Sequence, residues 1–267
     1  SKKKWLNNFL DATKSKNVDV IVELIGGAEG AAKKLVFNAL KNKKHVVTAN
    51  KALIAKYGDQ LSKIAEHNKV NLEFEAAVCG GVPIIRSLKE SFIANKINKV
   101  YGIFNGTSNY ILSSMDKENK NFKDVLIDAQ KLGFAESNPI SDLNGDDVAA
   151  KLKILSSLCF NSFLNDKIHV EGIKHIDNID IDNANKLGYK IKLLGVSEII
   201  ENKVYQRVHP TLIKKTSYIA SIDGVLNAVI VNGTPIGESI IQGEGAGPKA
   251  TTSALISDIS SILRGNI

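Results

Sequence analysis

Residues 18–25, Val-Asp-Val-Ile-Val-Glu-Leu-Ile, form a near-continuous apolar run followed at once by Gly26-Gly27. Such a run marks a strand buried on both faces. The segments behind it alternate: residues 28–40 read as a helix, 45–48 as a strand, 51–67 as a second helix and 70–77 as a third strand. Residues 5–16 read as a short helix leading in. Strand–helix–strand–helix–strand demands a parallel sheet with right-handed crossovers. In such sheets ligands bind beyond the carboxyl ends of the strands. That puts Gly26, Gly27, Thr48, Asn50 and Lys51 on a ligand-facing rim. Lys51 also reads as an ordinary exposed lysine at a helix start. The fingerprint Gly-x-Gly-x-x-Gly of a complete dinucleotide fold does not occur near the start of the chain, so half of such a fold is expected here.

The remainder changes character. After a Cys79–Pro83 loop, residues 84–92 read as a helix, 100–104 as a strand, 105–109 as a tight polar turn and 110–115 as a helix. That turn fits both an ordinary helix cap and an amide-lined binding loop. A helix over 122–132 ends at Gly133, a natural left-handed terminator. Strands are expected at 168–173 and 204–209 with a helix at 183–193 between them, and a hairpin at Asp223-Gly224 within 220–231. Glycines 243, 245 and 247 then precede Pro248 and a helix to residue 263. This strand-rich portion reads as a second, α+β domain.

Within it, residues 136–159 carry the most chemistry. Asn144 and Gly145 offer a cap, Asp146 and Asp147 put negative charge in the first turn, and a helix follows. At 100° per residue, Val148, Leu152, Leu155 and Cys159 fall within an arc of about 60°. Leu158 and Ile154 extend the arc, and Lys151 lands inside it, one turn after Asp147, while Lys153 falls on the opposite side with Ala150, Ser156 and Ser157. One reading is a surface Asp–Lys pair with a snorkelling lysine. The other is a buried amine whose charge a carboxylate holds, which is what a proton donor to a carbonyl oxygen requires.

The net charge of +7 raises the question of nucleic acid. The lysines are spread along the chain, and clusters such as 41–44 lack interleaved aromatics, so a solvated face is expected and no nucleic-acid partner. No apolar run approaches the roughly 18 residues of a membrane span, and no charged leader opens the chain, so no membrane partner is expected. Cys79 and Cys159 are too few for a disulfide framework, which points to a reducing cytoplasm. The five histidines show no metal-ligand spacing.

Six ordered pieces, VDVIVELIGGAEGA, HVVTANKAL, EAAVCGGVPIIRSL, GIFNGTSNYIL, LGFAESNPISDLNGDDVAAKLKIL and GEGAGPKATTSAL, resemble the homoserine dehydrogenase family. The resemblance implies interconversion of L-homoserine and L-aspartate 4-semialdehyde with NAD or NADP. It implies α/β plus α+β architecture, with a partial Rossmann-like dinucleotide domain over residues 1–77. The helix of 243–267 would pack back on that domain, and residues 78–242 would form an α+β substrate and dimerisation domain, in a homodimer or tetramer. By the same resemblance Lys151 is the proton donor and Lys51 the other active-site lysine. Glu136 and Asp147 hold the substrate's amino group, with Asp142 nearby. Gly26, Gly27, Lys51, Gly133, Gly245 and Gly247 meet the cofactor. Glu75 with the main chain of Val78, Gly80 and Val82 resembles a sodium site.

Two departures matter. The opening half with its glycine fingerprint is missing, and so is the ACT-type regulatory module that many members append. These 267 residues alone are therefore expected to show little activity, whereas the full-length gene product is expected to be an enzyme. The rival expectation is a non-catalytic dimerising or regulatory remnant. Retention of Glu136, Asp142, Asp147, Lys151 and Lys51 together argues against it.

Overall fold

The alternating segments at the start of the chain fold as their pattern demands. The computed structural model describes residues 5–160 and 168–265. Two compact units emerge: Ser1–Val78 with Pro248–Ile267, and Cys79–Gly247. In the first, α1 (Asp11–Lys14) leads to β1 (Val20–Glu23), α2 (Ala31–Lys41), β2 (His45–Thr48), α3 (Lys51–Asn68) and β3 (Leu72–Glu73). Among the described residues these strands form a parallel sheet in the order β1-β2-β3. Val20 is level with His45, and Val46 with Leu72. Helix α2 buries Ala32, Leu35, Val36, Ala39 and Leu40, a stripe at helical spacing. Asn50 caps α3 by accepting from the Leu53 amide at 3.0 Å, satisfying one of the helix's orphan donors.

Two expectations in this unit need correction. Only residues 11–14 of the leading segment are helical. The strand expected over 70–77 shrinks to Leu72–Glu73 because both its ends are claimed by other partners. The Val70 amide closes the end of α3 on Ala65 O (3.0 Å). The Glu75 amide donates to Asp258 Oδ2 (3.0 Å) on the final helix, Pro248–Leu263, and a 3-10 turn over Glu75–Ala77 follows.

The second unit begins with a short helix α4 (Ile84–Arg86) that widens into a π-type turn over Ser87–Ser91. Then come β4 (Lys96–Ile103), α5 (Gly106–Glu118), α6 (Phe122–Lys131), α7 (Ile140–Asn144) and α8 (Asp146–Phe160). The rest is β5 (His169–Val170), α9 (Asn178–Lys186), β6 (Tyr189–Ile200), β7 (Lys203–Lys214), β8 (Leu226–Thr234) and β9 (Gly237–Glu244). Among the described residues the sheet runs β5-β7-β6-β4-β8-β9. Its pairs are antiparallel except β5 with β7. The α/β plus α+β expectation is met.

The helix expected over 183–193 is instead the end of α9 and the start of β6. Gly188, at φ +82°, stops the helix, and residues 189–200 then pair with β7 along their whole length around Glu201-Asn202, both at positive φ. Two consecutive positive-φ residues give the turn that best matches strand twist. Asp223-Gly224 is no hairpin tip. It precedes β8, and the Asp223 carboxylate is committed to Lys192. The hairpin of this region joins β8 to β9, with Gly233 level with Gly237.

Helix α8 lies against β4, β6 and β7. Gly195 makes room for it: a Cβ there would meet Phe104 at 2.8 Å and Val148 Cγ1 at 3.0 Å. The expected polar side of α8 is also buried. Ser156 Oγ shares a 2.8 Å hydrogen bond with Ser197 Oγ of β6, and Ser157 Oγ donates to Ile154 O. Among the described residues no helix is long and apolar enough to cross a membrane.

Candidate active site

Lys151 is buried, 8% exposed, at the centre of α8. Its Nζ donates to Phe104 O at 2.7 Å and lies 2.8 Å from Asp147 Oδ2, one helical turn earlier. Burial works against the charge of this amine. Asp147, then Cys79 and Asp142, more than offset it, so its pKa lies above the ordinary lysine value and the group is cationic at neutral pH.

Asp147 is tied to Asp142 through Asn105. The Asn105 Nδ2 donates to Asp142 Oδ1 at 2.8 Å and to Asp147 Oδ2 at 2.9 Å. Its Oδ1 accepts from the Ser108 amide at 2.8 Å, capping α5, which fixes which end of the amide faces the acids. Residues 106–109, expected as a loop, are thus the first turn of α5. Asp142 is held above the ordinary carboxylate range, chiefly by burial and also by the Asp147 charge, against the Asn105 hydrogen bond. Asp142 and Asp147 thus set carboxylate oxygens side by side next to the Lys151 amine. That is a site for a small cation such as a primary ammonium.

Around this group the second unit sets two glycine-bearing loops back to back. The Gly81 amide donates to Glu244 O at 2.9 Å. A Cβ on Gly80 would lie 2.8 Å from Gly245 O, and one on Gly245 would lie 2.0 Å from Asn227 Nδ2. Gly247 and Gly133, at φ +105° and +76°, have open space where a Cβ would sit. Glu136 is exposed, its carbonyl accepting from Gln130 Nε2 at 3.2 Å. The structure therefore brings Asp142, Asp147 and Lys151 together, with Glu136 at the surface of the same unit.

In the first unit, Lys51 opens α3, half-buried. Gly26 and Gly27 follow β1 at φ +82° and +78°, with nothing within 4 Å of a would-be Cβ. The organiser of that loop is Glu23, which the sequence hides within an apolar run. It is 1% exposed, and accepts from the Ile25 amide (2.7 Å), the Gly26 amide (3.0 Å) and Thr48 Oγ1 (2.6 Å). Asn50 Nδ2 adds a bond to Gly27 O at 2.8 Å. The glycine edge is open where side chains would stand. The first amides of the loop are already taken by a carboxylate, so they do not form a phosphate cradle. Glu75 is buried. Among the described residues no group of three or more His, Cys, Asp or Glu is placed to hold a metal ion.

A parallel α/β unit with an open glycine rim, joined in one chain to an α+β unit holding a buried lysine–carboxylate site, defines a class of two-domain α/β plus α+β proteins. Residues 2–75 match the family model for the homoserine dehydrogenase NAD binding domain, and residues 83–260 the model for homoserine dehydrogenase. The chain belongs to the homoserine dehydrogenase family. It is 48% identical over 250 residues to the homoserine dehydrogenase of Neisseria gonorrhoeae, covering 93% of this chain and 57% of that protein. It is 45% identical to that of Pseudomonas aeruginosa over 258 residues, 96% of this chain and 59% of the relative. The crystal structure of a homoserine dehydrogenase from Thiobacillus denitrificans superposes with a TM-score of 0.93 at 46% identity, over 97% of this chain and 60% of that one. A hyperthermophilic archaeal homoserine dehydrogenase in complex with NADPH gives 0.83 at 26% identity, over 97% and 76%. The chain thus spans under two thirds of the length of the first two of these relatives and of the Thiobacillus structure.

Proposed function

We propose that this chain supplies the substrate site and part of the cofactor site of an enzyme interconverting L-homoserine and L-aspartate 4-semialdehyde with NAD or NADP. The observation that carries the reading is the buried Lys151 cation, 2.8 Å from Asp147, which Asn105 ties to Asp142. The nicotinamide ring, when bound, supplies or takes back the hydride. Gly26, Gly27 and Lys51 in the first unit, and Gly133, Gly245 and Gly247 in the second, are the residues proposed to meet the cofactor. A nicotinamide cofactor is supported by the match to an NAD binding domain and by an archaeal relative solved in complex with NADPH.

Lys151 gives its proton to the aldehyde oxygen as the adjacent carbon is reduced, and takes one from the hydroxyl in oxidation. Asp142 and Asp147, with Glu136, hold the substrate's ammonium and so orient the reacting end. Lys51 is proposed as the second active-site lysine. A sodium ion on Glu75 and the carbonyls of Val78, Gly80 and Val82, a homodimer or tetramer built through the α+β domain, and a cytoplasmic location are further proposals resting on the family resemblance.

The test is L-homoserine oxidation, followed by the appearance of reduced nicotinamide, on these 267 residues and on a protein of the relatives' length that carries them. The longer protein is expected to turn over and the shorter to be feeble. No turnover by the longer protein rejects the reading in favour of a non-catalytic remnant.

The raised pKa of Asp142 gives a signed prediction. As pH falls, Asp142 takes up its proton earlier than an ordinary carboxylate and the ammonium loses a counter-charge. The KM for L-homoserine should therefore climb on the acid side. Asp142→Asn should raise KM at neutral pH by about 10- to 100-fold, the value of one charge-assisted hydrogen bond, and flatten that climb. A variant that keeps the parent's acid-side slope would show that another group is titrating.

A further inference from the structure

Lys192 lies on β6, outside the group just described, and is 1% exposed. Its Nζ donates to Asp223 Oδ1 (2.7 Å), Ile222 O (2.7 Å), Asn109 Oδ1 (3.0 Å) and Ser113 Oγ (3.2 Å). A buried lysine–aspartate pair rarely stabilises a fold more than apolar side chains of the same size would, so its presence calls for another reason. Its partners supply one.

Asn109 stands one helical turn after Asn105 on α5, and its amide donates to Asn105 O at 3.3 Å. A single turn of this helix thus carries two buried asparagines. Asn105 hands its two N–H groups to Asp142 and Asp147, and Asn109 accepts from Lys192. The same turn has no slack on its other side. Asn109 Nδ2 donates to Ile222 O and Leu226 O, both at 3.1 Å. Val225 O sits so close that a Cβ on Gly106 would be 2.7 Å from it. Two Lys–Asp pairs with buried lysines, Lys151–Asp147 and Lys192–Asp223, are therefore joined through one helical turn.

We propose that Lys192 and Asp223 are positioning residues. Acting through Asn109, they set the first turn of α5 and so the point from which Asn105 aligns Asp142 and Asp147. Neither residue touches the reacting atoms. The inference rests on the reading that those two aspartates receive the substrate's ammonium, and it adds a remote determinant of substrate affinity to that site. Its signature is a split weighted to binding: KM for L-homoserine moves more than kcat, because Lys151 keeps its own direct bonds to Asp147 and Phe104 O.

Asn109→Ala cuts the link and leaves Lys192 with Asp223, Ser113 and Ile222 O, but it also drops the Asn109 Nδ2 bonds to Ile222 O and Leu226 O, so it is read beside a second variant. The double variant Lys192→Met with Asp223→Asn removes the pair without stranding a charge, and serves if the first does not fold. Two readouts are taken on each variant that unfolds cooperatively. Steady-state kinetics on the protein of relatives' length should show KM for L-homoserine raised about tenfold with kcat within about threefold, as for coupled neighbours in one network. NMR hydrogen exchange on the 267-residue chain should show the Asn105 side-chain amide protons, slow in the parent, exchanging faster. Unchanged KM and unchanged Asn105 exchange in a folded variant overturn the proposal. If the parent does not oxidise L-homoserine at all, the functional reading fails, and the Asn105 exchange rate alone still decides whether Lys192 positions it.

Discussion

Replacing Lys151 by methionine should lower kcat for L-homoserine oxidation, and for the reverse reduction, by about 10²- to 10⁴-fold, the range of a lost general acid–base group. Methionine fills nearly the volume of the lysine stem, so α8 should still pack against β4, β6 and β7. Lys151→Arg should not rescue, because a guanidinium cannot cycle its proton and does not fit the single 2.7 Å bond to Phe104 O. The pH profile gives an independent check. The amine's pKa is raised, so the proton-bearing form prevails through neutral pH. Reduction of the aldehyde, which needs that form, should stay level and fall only at alkaline pH. Oxidation, which needs the free amine, should keep rising as pH rises. Steady-state rates in both directions on the longer protein decide it. A methionine variant with near-parent kcat would remove Lys151 from the chemistry.

Lys151 is legible in the amino-acid sequence because helical periodicity is local: 100° per residue places it inside the apolar arc, and no distant contact is needed to see the anomaly. The same periodicity fails for Ser156 and Ser157. Both are covered by tertiary packing, and the partner of Ser156 is Ser197 of β6, 41 residues away. Asn105 escapes notice as a ligand of the acids for the same reason: Asp142 and Asp147 lie 37 and 42 residues further on. In the sequence its caps-and-turns composition matches an ordinary helix start, which it also is. Glu23 is hidden inside an apolar run because the partners that make a buried carboxylate tolerable, two amides and Thr48, come from the next turn and the neighbouring strand. The parallel α/β unit is readable as alternation, since each of its elements is amphipathic or apolar on its own. The α+β unit is harder. Residues 189–193 have helix-compatible composition, and only pairing with β7 makes them strand, a case of tertiary context overriding local preference.

Asp223→Ala should be strongly destabilising, by about 3–5 kcal/mol near neutral pH. The loss comes from stranding Lys192, which would keep only the neutral acceptors Asn109, Ser113 and Ile222 O. Burial already pulls the pKa of Lys192 down against the pull of Asp223. The shallower Asp223 shows the opposite balance: burial raises its pKa, but Lys192, Lys117 and Lys190 together hold it at about 2. A carboxylate with a depressed folded pKa stabilises the fold above its unfolded value of 3.8, and that contribution is lost as pH falls from there toward about 2. The parent should therefore lose stability through that acid window, and Asp223→Asn should lose less of it there. Adding Lys192→Met to Asp223→Asn should restore most of the stability at neutral pH, because an apolar side chain of similar volume replaces a cation that no longer has its carboxylate. Urea unfolding of the three variants across pH measures all of this. If Asp223→Ala costs less than about 1 kcal/mol, as an exposed pair would, the burial of Lys192 is not the energetic constraint claimed for it.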